Sequence, residues 1–365
     1  MVHPEWAVGL SGFATGAVCG FALRRGRLCT FGAIEDWVTA GDTRRLKVFA
    51  LGLAIALAGT QGLVLAGLLD PAATTYVPAA LPLLSIALGG LLFGIGMSLI
   101  GTCGIGSLVR LGGGDLRSLV VILVFGAVAY ASLRGILSGF RIGTLEAIQV
   151  PLPDGRRADL ADMAQAAIGP LGRPALAGAL LLGLAAWALS DRRLARTPRL
   201  VGAGAALGLG VVAGWVATGV LVDEFATPRP QSLTFVGPVA RALFGIVAAT
   251  DSLADFGVAS VFGVVAGSGL AAVRGRQFHW EAFDDPREMR RHLLGAALMG
   301  FGGVAAGGCT IGQGLTAGSL LALSWPVALA GIFLGARLGI YFVLEGRLSD
   351  ALRDTFPRVF RRTQP

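Results

Sequence analysis

Nine stretches of this chain are apolar for long enough to cross the hydrocarbon core of a bilayer, which is about 30 Å thick and takes about 20 residues of helix. They run near residues 5–23, 46–69, 79–100, 116–137, 174–190, 200–222, 235–273, 292–323 and 325–344. Inside lipid every backbone N–H and C=O needs a partner within the protein, so a spanning chain is confined to helices or closed barrels. Barrel strands are about half as long and alternate in polarity, and these runs do neither. The pattern predicts an all-α polytopic membrane protein with about nine transmembrane spans. The zones 235–273 and 292–323 are too long for one span. Each is read as a crossing helix plus a re-entrant half-helix, which a bilayer tolerates only where protein or a water-filled cavity satisfies the exposed backbone.

Composition supports this solvent. Hydrophobic residues make up 54% of the 365 and charged residues 14%, with a mean hydropathy of +0.72, outside the range of soluble domains. The 56 glycines suit helices that approach backbone to backbone or break. A net charge of +8 could suggest nucleic acid, but the arginines punctuate apolar segments instead of covering a face, so no nucleic-acid partner is expected. Four cysteines without a C-x-x-C pair and three histidines argue against a zinc site, a disulfide framework or thioredoxin-like chemistry, and no metal or cofactor is expected. The apolar run from Trp6 to Leu23 precedes Arg24, Arg25 and Arg27, the reverse of a signal peptide, so it reads as a retained first helix.

Orientation follows from the short basic connections. Arg24 to Lys47, Arg110 to Arg117, Asp191 to Arg199 and Arg274 to Arg291 are placed in the cytoplasm, with the N-terminus outside. About nine crossings then put the tail carrying Arg353, Arg358, Arg361 and Arg362 inside, in a bacterial inner membrane. The polar segment from Ser138 to Arg173 becomes the largest external loop, and its four arginines fit the rule least well.

An internal duplication appears when Gly94 to Gly106 is laid on Gly300 to Gly312. Gly94, Gly96, Gly101, Cys103, Ile105 and Gly106 all recur, and Gly112 recurs as Gly318. The chain is accordingly divided into a first transport repeat, 1–190, and a second, 191–365, within one integrated membrane domain, with any substrate site at their interface. A weaker echo sets Arg25-Gly26-Arg27 beside Arg274-Gly275-Arg276, with Phe278 where Cys29 stands.

The element shared by the two halves is G-x-C-x-I-G at Cys103 and Cys309. Glycines on both sides let a helix end, bare its amides and begin again beside a substrate, offering an anion donors without fixed charge. The weak S–H donor of a cysteine suits a soft sulfur atom. Gly101, Gly104, Gly308 and Thr310 are the neighbouring candidates for anion contact. Simple packing is the competing reading for each cysteine. Cys29, after the basic turn, could line an inner mouth, whereas Cys19 on the first helix reads as packing. Arg241 and Arg337 lie in apolar segments and read either as anion counter-charges or as snorkelling side chains. Asp251 and Asp255 flank an expected break.

At these motifs the chain resembles the YeeE/YedE sulfur-transport family. The resemblance rests on Gly26-Arg27-Leu28-Cys29-Thr30-Phe31-Gly32-Ala33, on Gly96 to Gly114 around Cys103, and on Gly302 to Gly318 around Cys309. It implies a pseudo-symmetric membrane fold in which Cys29, Cys103 and Cys309 line a narrow path and relay thiosulfate, or a related small sulfur-containing anion, without covalent change. It also implies a separate cytoplasmic sulfur-carrier protein of the TusA type, or a rhodanese, as partner. Two alternatives stand beside it: transport of a selenium compound, and a membrane thiol oxidoreductase. The latter needs two cysteines with Cα atoms within about 7 Å, for which Cys19 and Cys29 are the sequence's candidates.

Overall fold

A computed structural model of the protein describes residues 4–151, 158–220, 229–248 and 255–346. Asp251 and the four arginines of the tail lie outside the described residues. The chain runs through α1 (Pro4–Gly26), α2 (Thr30–Ala40), α3 (Arg44–Leu65), α4 (Leu83–Ile100), α5 (Gly104–Gly112), α6 (Leu116–Arg134) and α7 (Ile136–Phe140). It continues with α8 (Leu160–Ile168), α9 (Gly172–Leu189), α10 (Pro198–Gly219), α11 (Val236–Ala248), α12 (Phe256–Arg274), α13 (Pro286–Ala305) and α14 (Ser324–Glu345). One antiparallel pair of two-residue strands, β1 (Ala80–Leu81) and β2 (Val150–Pro151), joins the loops after α3 and α7.

Eight helices are long and apolar enough to cross a membrane, namely α1, α3, α4, α6, α9, α10, α12 and α14. α13, of 20 residues, packs along α4 but falls outside this set, its first turns carrying Arg287, Arg290 and Arg291. The zone 235–273 divides into the 13-residue α11 and the crossing α12. The zone 292–323 divides into most of α13, a break, and a π-helical turn over Gly312–Ala317. Both long zones are thus a long helix plus a short piece.

Glycine decides how the helices meet. On the α1–α12 crossing, a Cβ at Gly16 would stand 2.2 Å from the Ser260 carbonyl oxygen, and one at Gly267 would stand 1.9 Å from that of Ala17. Gly12 and Gly20 meet Phe256 and Val264 in the same manner, so the register advances together and the two helices are parallel. Without a hydrophobic drive between helices in lipid, such close backbone contact is what holds them. The α3–α10 pair is also parallel, with Gly52 against Gly204 and Gly59 against Val212. The α4–α13 pair is antiparallel, Gly89 lying against Ala305 and Ala306, and Gly96 against Gly295. α14 runs parallel to α4, with Gly94 against Ile332 and Gly339 against Ser98.

These directions gather the C-terminal ends of α1, α4 and α12 and the start of α13 on one side of the bundle. Arg24, Arg27, Arg110, Arg274 and Arg291 mark it as the basic face. There the run Gly112-Gly113-Gly114 is pinned and not free to hinge: His279 N donates to Gly113 O, and Glu281 N to Gly114 O. The opposite face carries the segment with poorly placed arginines, two of which lie among the described residues. Arg141 pairs with Glu146, and Arg173 pairs with Asp159, whose side chain is 1% exposed, and with Asp162. Acidic partners therefore account for these two arginines, which the charge rule alone left unexplained.

The α1–α12 contact sets a clear test. Gly267→Val and Gly16→Val force a Cβ into backbone and are expected to cost about 3 kcal/mol or more, seen as loss of the monodisperse peak in detergent size-exclusion chromatography. Gly183→Val on α9, where a Cβ meets nothing within 4 Å, should elute like the parent.

Candidate functional site

Three helices break in the same way, and each break carries a cysteine. α1 ends with Arg27 left-handed at φ 50°, α4 with Gly101 at φ 78°, and α13 with Gly307 at φ 72°. The next residue closes the helix end with a bond to the carbonyl five residues back: Leu28 N to Leu23 O, Thr102 N to Met97 O, and Gly308 N to Gly303 O. This is the Schellman closure that satisfies carbonyls orphaned at a helix terminus. The residue after that is Cys29, Cys103 or Cys309. Its own carbonyl accepts the first bond of the following helical turn, from Ala33, Ser107 and Gln313 respectively. Each thiol therefore sits at a helix start, where unpaired N–H groups carry partial positive charge. A fourth copy of the turn, Arg276 at φ 51° with Gln277 N bonded to Ala272 O, places Phe278 at the cysteine position.

Two of the thiols meet. Cys29 Sγ and Cys103 Sγ are 3.9 Å apart, and Cys29 Sγ lies 3.6 Å from Thr102 Oγ1. Cys103 Sγ lies 3.9 Å from Thr30 Oγ1. Gly106 makes room for the pair, since a Cβ there would fall 2.2 Å from Thr102 Oγ1 and 3.2 Å from Cys29 Sγ. Cys103 is fully buried and Cys29 half-buried. Cys29 opens onto a cavity of about 380 Å³ on the basic face, lined by Arg24, Arg27, Arg45, Arg110, Glu35 and Gly101 among others. Arg110 Nη2 donates to Gly101 O at 2.9 Å, so a guanidinium caps the end of α4 beside the thiol pair.

Cys309 stands alone at the far end of the α4–α13 pair. Gly312 N donates to its Sγ at 3.4 Å, and Gln313 Nε2 caps Ala306 O at 2.9 Å. Gly307 and Gly308, with Tyr76, Thr234, Arg241 and Asp255, line a cavity of about 480 Å³ on the face opposite the basic one. Burial pushes the Tyr76 phenol above its ordinary pKa, so it stays a hydroxyl donor.

The remaining sequence candidates divide. Gly101 and Gly308 line the two polar cavities. Gly104 begins α5 directly after Cys103. Thr310 lines a third, largely apolar cavity of about 400 Å³ together with Thr30, Trp37 and Trp325. Arg241 lines the cavity of Gly307 and Gly308 and bonds Asp255, Nη2 to Oδ1 at 3.2 Å, with Gln231 donating to the same carboxylate at 3.0 Å. Asp255 in turn caps α12 through Val258 N. Arg337 lies on α14 with its guanidinium 5.7 Å from the centre of the Tyr341 ring. Cys19 is buried and donates to Ala206 O at 3.4 Å, joining α1 to α10. Cys29 thus finds Cys103 as its sulfur neighbour, where sequence had offered Cys19. Thr30, Thr102, Arg110, Tyr76 and Thr234 were not singled out from sequence. The first two adjoin the cysteine motifs, which was a usable signal.

Parallel and antiparallel apolar helices, interrupted at paired breaks that expose backbone between two cavities, form the architecture of a polytopic membrane transport protein. A family model described as sulphur transport matches residues 25–338, and the chain belongs to that family. It is 29% identical over 341 residues to the thiosulfate transporter TsuA of Escherichia coli (strain K12), covering 89% of this chain and 92% of the relative. It is 30% identical over 329 residues to the thiosulfate transporter TsuA of Spirochaeta thermophila, covering 88% and 94%. With relatives that are transporters along nearly its whole length, this is a transport protein and not an enzyme.

The sulfur pair gives a chemical prediction. Mild oxidation should join Cys29 to Cys103, removing two maleimide-reactive thiols together and restoring both on reduction. In Cys103→Ser the oxidant should leave Cys29 reactive. Crosslinking of Cys29 to Cys19 instead would contradict the geometry.

Proposed function

We propose that this protein carries thiosulfate inward across the bacterial inner membrane, along a path on which Cys309, Cys103 and Cys29 meet the ion in turn. The observation that carries this reading is the recurrence of one device: a helix end, a left-handed residue two positions before a cysteine, and a new helical turn starting at that cysteine. Each copy presents a thiol and helix-start amides together. A thiol S–H can donate weakly to the terminal sulfur of thiosulfate, and the amides can donate to its oxygens. None of these donors carries a full charge, so the ion is held enough to enter and loosely enough to leave. Gly101, Gly104, Gly308 and Thr310 supply contacts beside the thiols, and Arg241 and Arg337 add positive potential.

Direction follows from charge. The face bearing Arg24, Arg27, Arg45 and Arg110 is cytoplasmic by the positive-inside rule, which sets the N-terminus outside and the C-terminus inside. Cys309 then belongs to the outer cavity, and the Cys29–Cys103 pair to the inner one. A separate sulfur-carrier protein of the TusA type, or a rhodanese, receives the ion on that side.

Residues 1–190 and 191–365 are read as two transport repeats of opposite orientation. The support is that duplicated positions do the same work on matching neighbours. Gly94 packs on α14 as Gly300 packs on α6, and Gly96 and Gly302 each face the other's helix. Gly112 packs on α12, and Gly318 packs on α3. Antiparallel α4 and α13 put the two motifs at opposite ends, as an in-plane pseudo-twofold axis requires.

Uptake of radiolabelled thiosulfate by cells lacking their own importers tests the reading. Cys103→Ser and Cys309→Ser should each lower uptake about tenfold or more through loss or change of one hydrogen-bonding partner. Cys29→Ser should lower it less, and Cys19→Ser should leave it near the parent value. Uptake indifferent to all four substitutions would remove the thiol path.

A further inference from the structure

The duplicated glycines Gly106 and Gly312 hold matching places behind the two motif cysteines, yet what faces them differs. At Gly106 a Cβ would fall 2.2 Å from Thr102 Oγ1 and 3.2 Å from Cys29 Sγ. At Gly312 a Cβ would fall 2.5 Å from Thr234 Oγ1 and 3.3 Å from the Tyr76 hydroxyl. The Tyr76 and Thr234 side chains both line the cavity that Gly307 and Gly308 open beside Cys309. Gly312 N meanwhile donates to Cys309 Sγ. The outer site therefore holds one thiol and two hydroxyls around a single glycine, whereas the inner site holds two thiols and a threonine.

We infer that Thr234 and Tyr76 are the residues that read the oxygen end of the substrate at the outer site. Their hydroxyls donate to the oxygens of a tetrahedral sulfur oxyanion while the Cys309 thiol meets its terminal sulfur. This deepens the transport reading above and rests on it. Three features of the site favour the assignment. Arg229 and Arg241 both line the cavity, and Arg241 is bonded to Asp255 and Gln231, whereas the donors set directly beside Gly312 are the neutral hydroxyls. Tyr76 is held protonated by burial and can donate to an anion. The inner site, where the ion is to be released, matches the Thr234 hydroxyl with that of Thr102 but has the Cys29 thiol in the place of the Tyr76 hydroxyl, and so grips oxygen less.

The experiment is thiosulfate uptake kinetics in cells expressing the parent chain, Thr234→Val, Tyr76→Phe or Thr234→Ser, with membrane abundance and detergent elution profile measured for each. A hydrogen bond to a charged group is worth enough that Thr234→Val and Tyr76→Phe should each raise KM about tenfold or more with little change in maximal rate. Thr234→Ser, which keeps the hydroxyl, should stay close to the parent. KM unchanged in both deletions, while the parent transports thiosulfate, overturns the assignment and leaves the transport reading standing. Thr234→Ser behaving like Thr234→Val also overturns it, since the methyl and not the hydroxyl would then matter. A parent chain that reaches the membrane and takes up no thiosulfate removes the substrate reading and this inference with it.

Discussion

A backbone that stops being helical inside a bilayer leaves carbonyls and amides without partners, each costing several kcal/mol if left so. The three cysteine breaks meet this constraint with one local solution. Closure to the residue five positions back satisfies the last carbonyls of α1, α4 and α13, and side chains finish the work, Arg110 on Gly101 O and Gln313 on Ala306 O. On the other side of each break the cysteine carbonyl accepts the first bond of the new helical turn, and at Cys309 an early amide, Gly312 N, turns to the thiol itself. Thiol and helix-start amides are thereby held together at each break, a donor-rich setting of the kind that suits an anion.

Holding such breaks in place demands rigid neighbours. The parallel α1–α12 and α3–α10 crossings and the antiparallel α4–α13 pair press backbone on backbone, closer than any side chain allows. Contacts of this kind leave little freedom to slide, because a one-residue shift would set a Cβ against a carbonyl at several levels at once. The ends of α1 and α4 are thereby fixed relative to one another, and Cys29 reaches Cys103 although 73 residues separate them in sequence, as does Thr102 Oγ1 to Cys29 Sγ. Glycine abundance, which in a soluble chain would weaken helices, is here what sets the register.

The spans and the two long composite zones were legible because about 20 apolar residues leave few other folds. The Cys103 and Cys309 motifs were legible because glycine at a left-handed position is a strong local signal. Other parts were not. The break before Cys29 uses Arg27 at positive φ, a position where sequence gives no reason to expect an arginine, so nothing in the sequence announces that α2 starts there. The weaker echo at Arg274-Gly275-Arg276 proves to share that backbone turn without a helix restarting at Phe278. Tyr76 and Thr234 come from loops remote in sequence, and no periodicity connects them. The Cys29–Cys103 contact depends on how two helix ends are placed by their neighbours, which spacing alone cannot express.

Charge across the molecule completes the physical picture. In the cavity beside Cys309, Arg241 is bonded to Asp255, so its field is largely spent on a neighbouring carboxylate. In the cavity beside Cys29, Arg24, Arg27, Arg45 and Arg110 stand with Glu35, leaving positive charge in excess. An anion moving in the proposed direction goes from a vestibule lined by Arg229, Arg241 and Asp255, through thiols and amides, into a more positive mouth. A stronger positive charge at the narrow part would bind a dianion too firmly to release it, since low dielectric magnifies each charge there. On the proposed path, neutral donors at the breaks and the excess of arginines at the inner mouth divide the task between passage and pull.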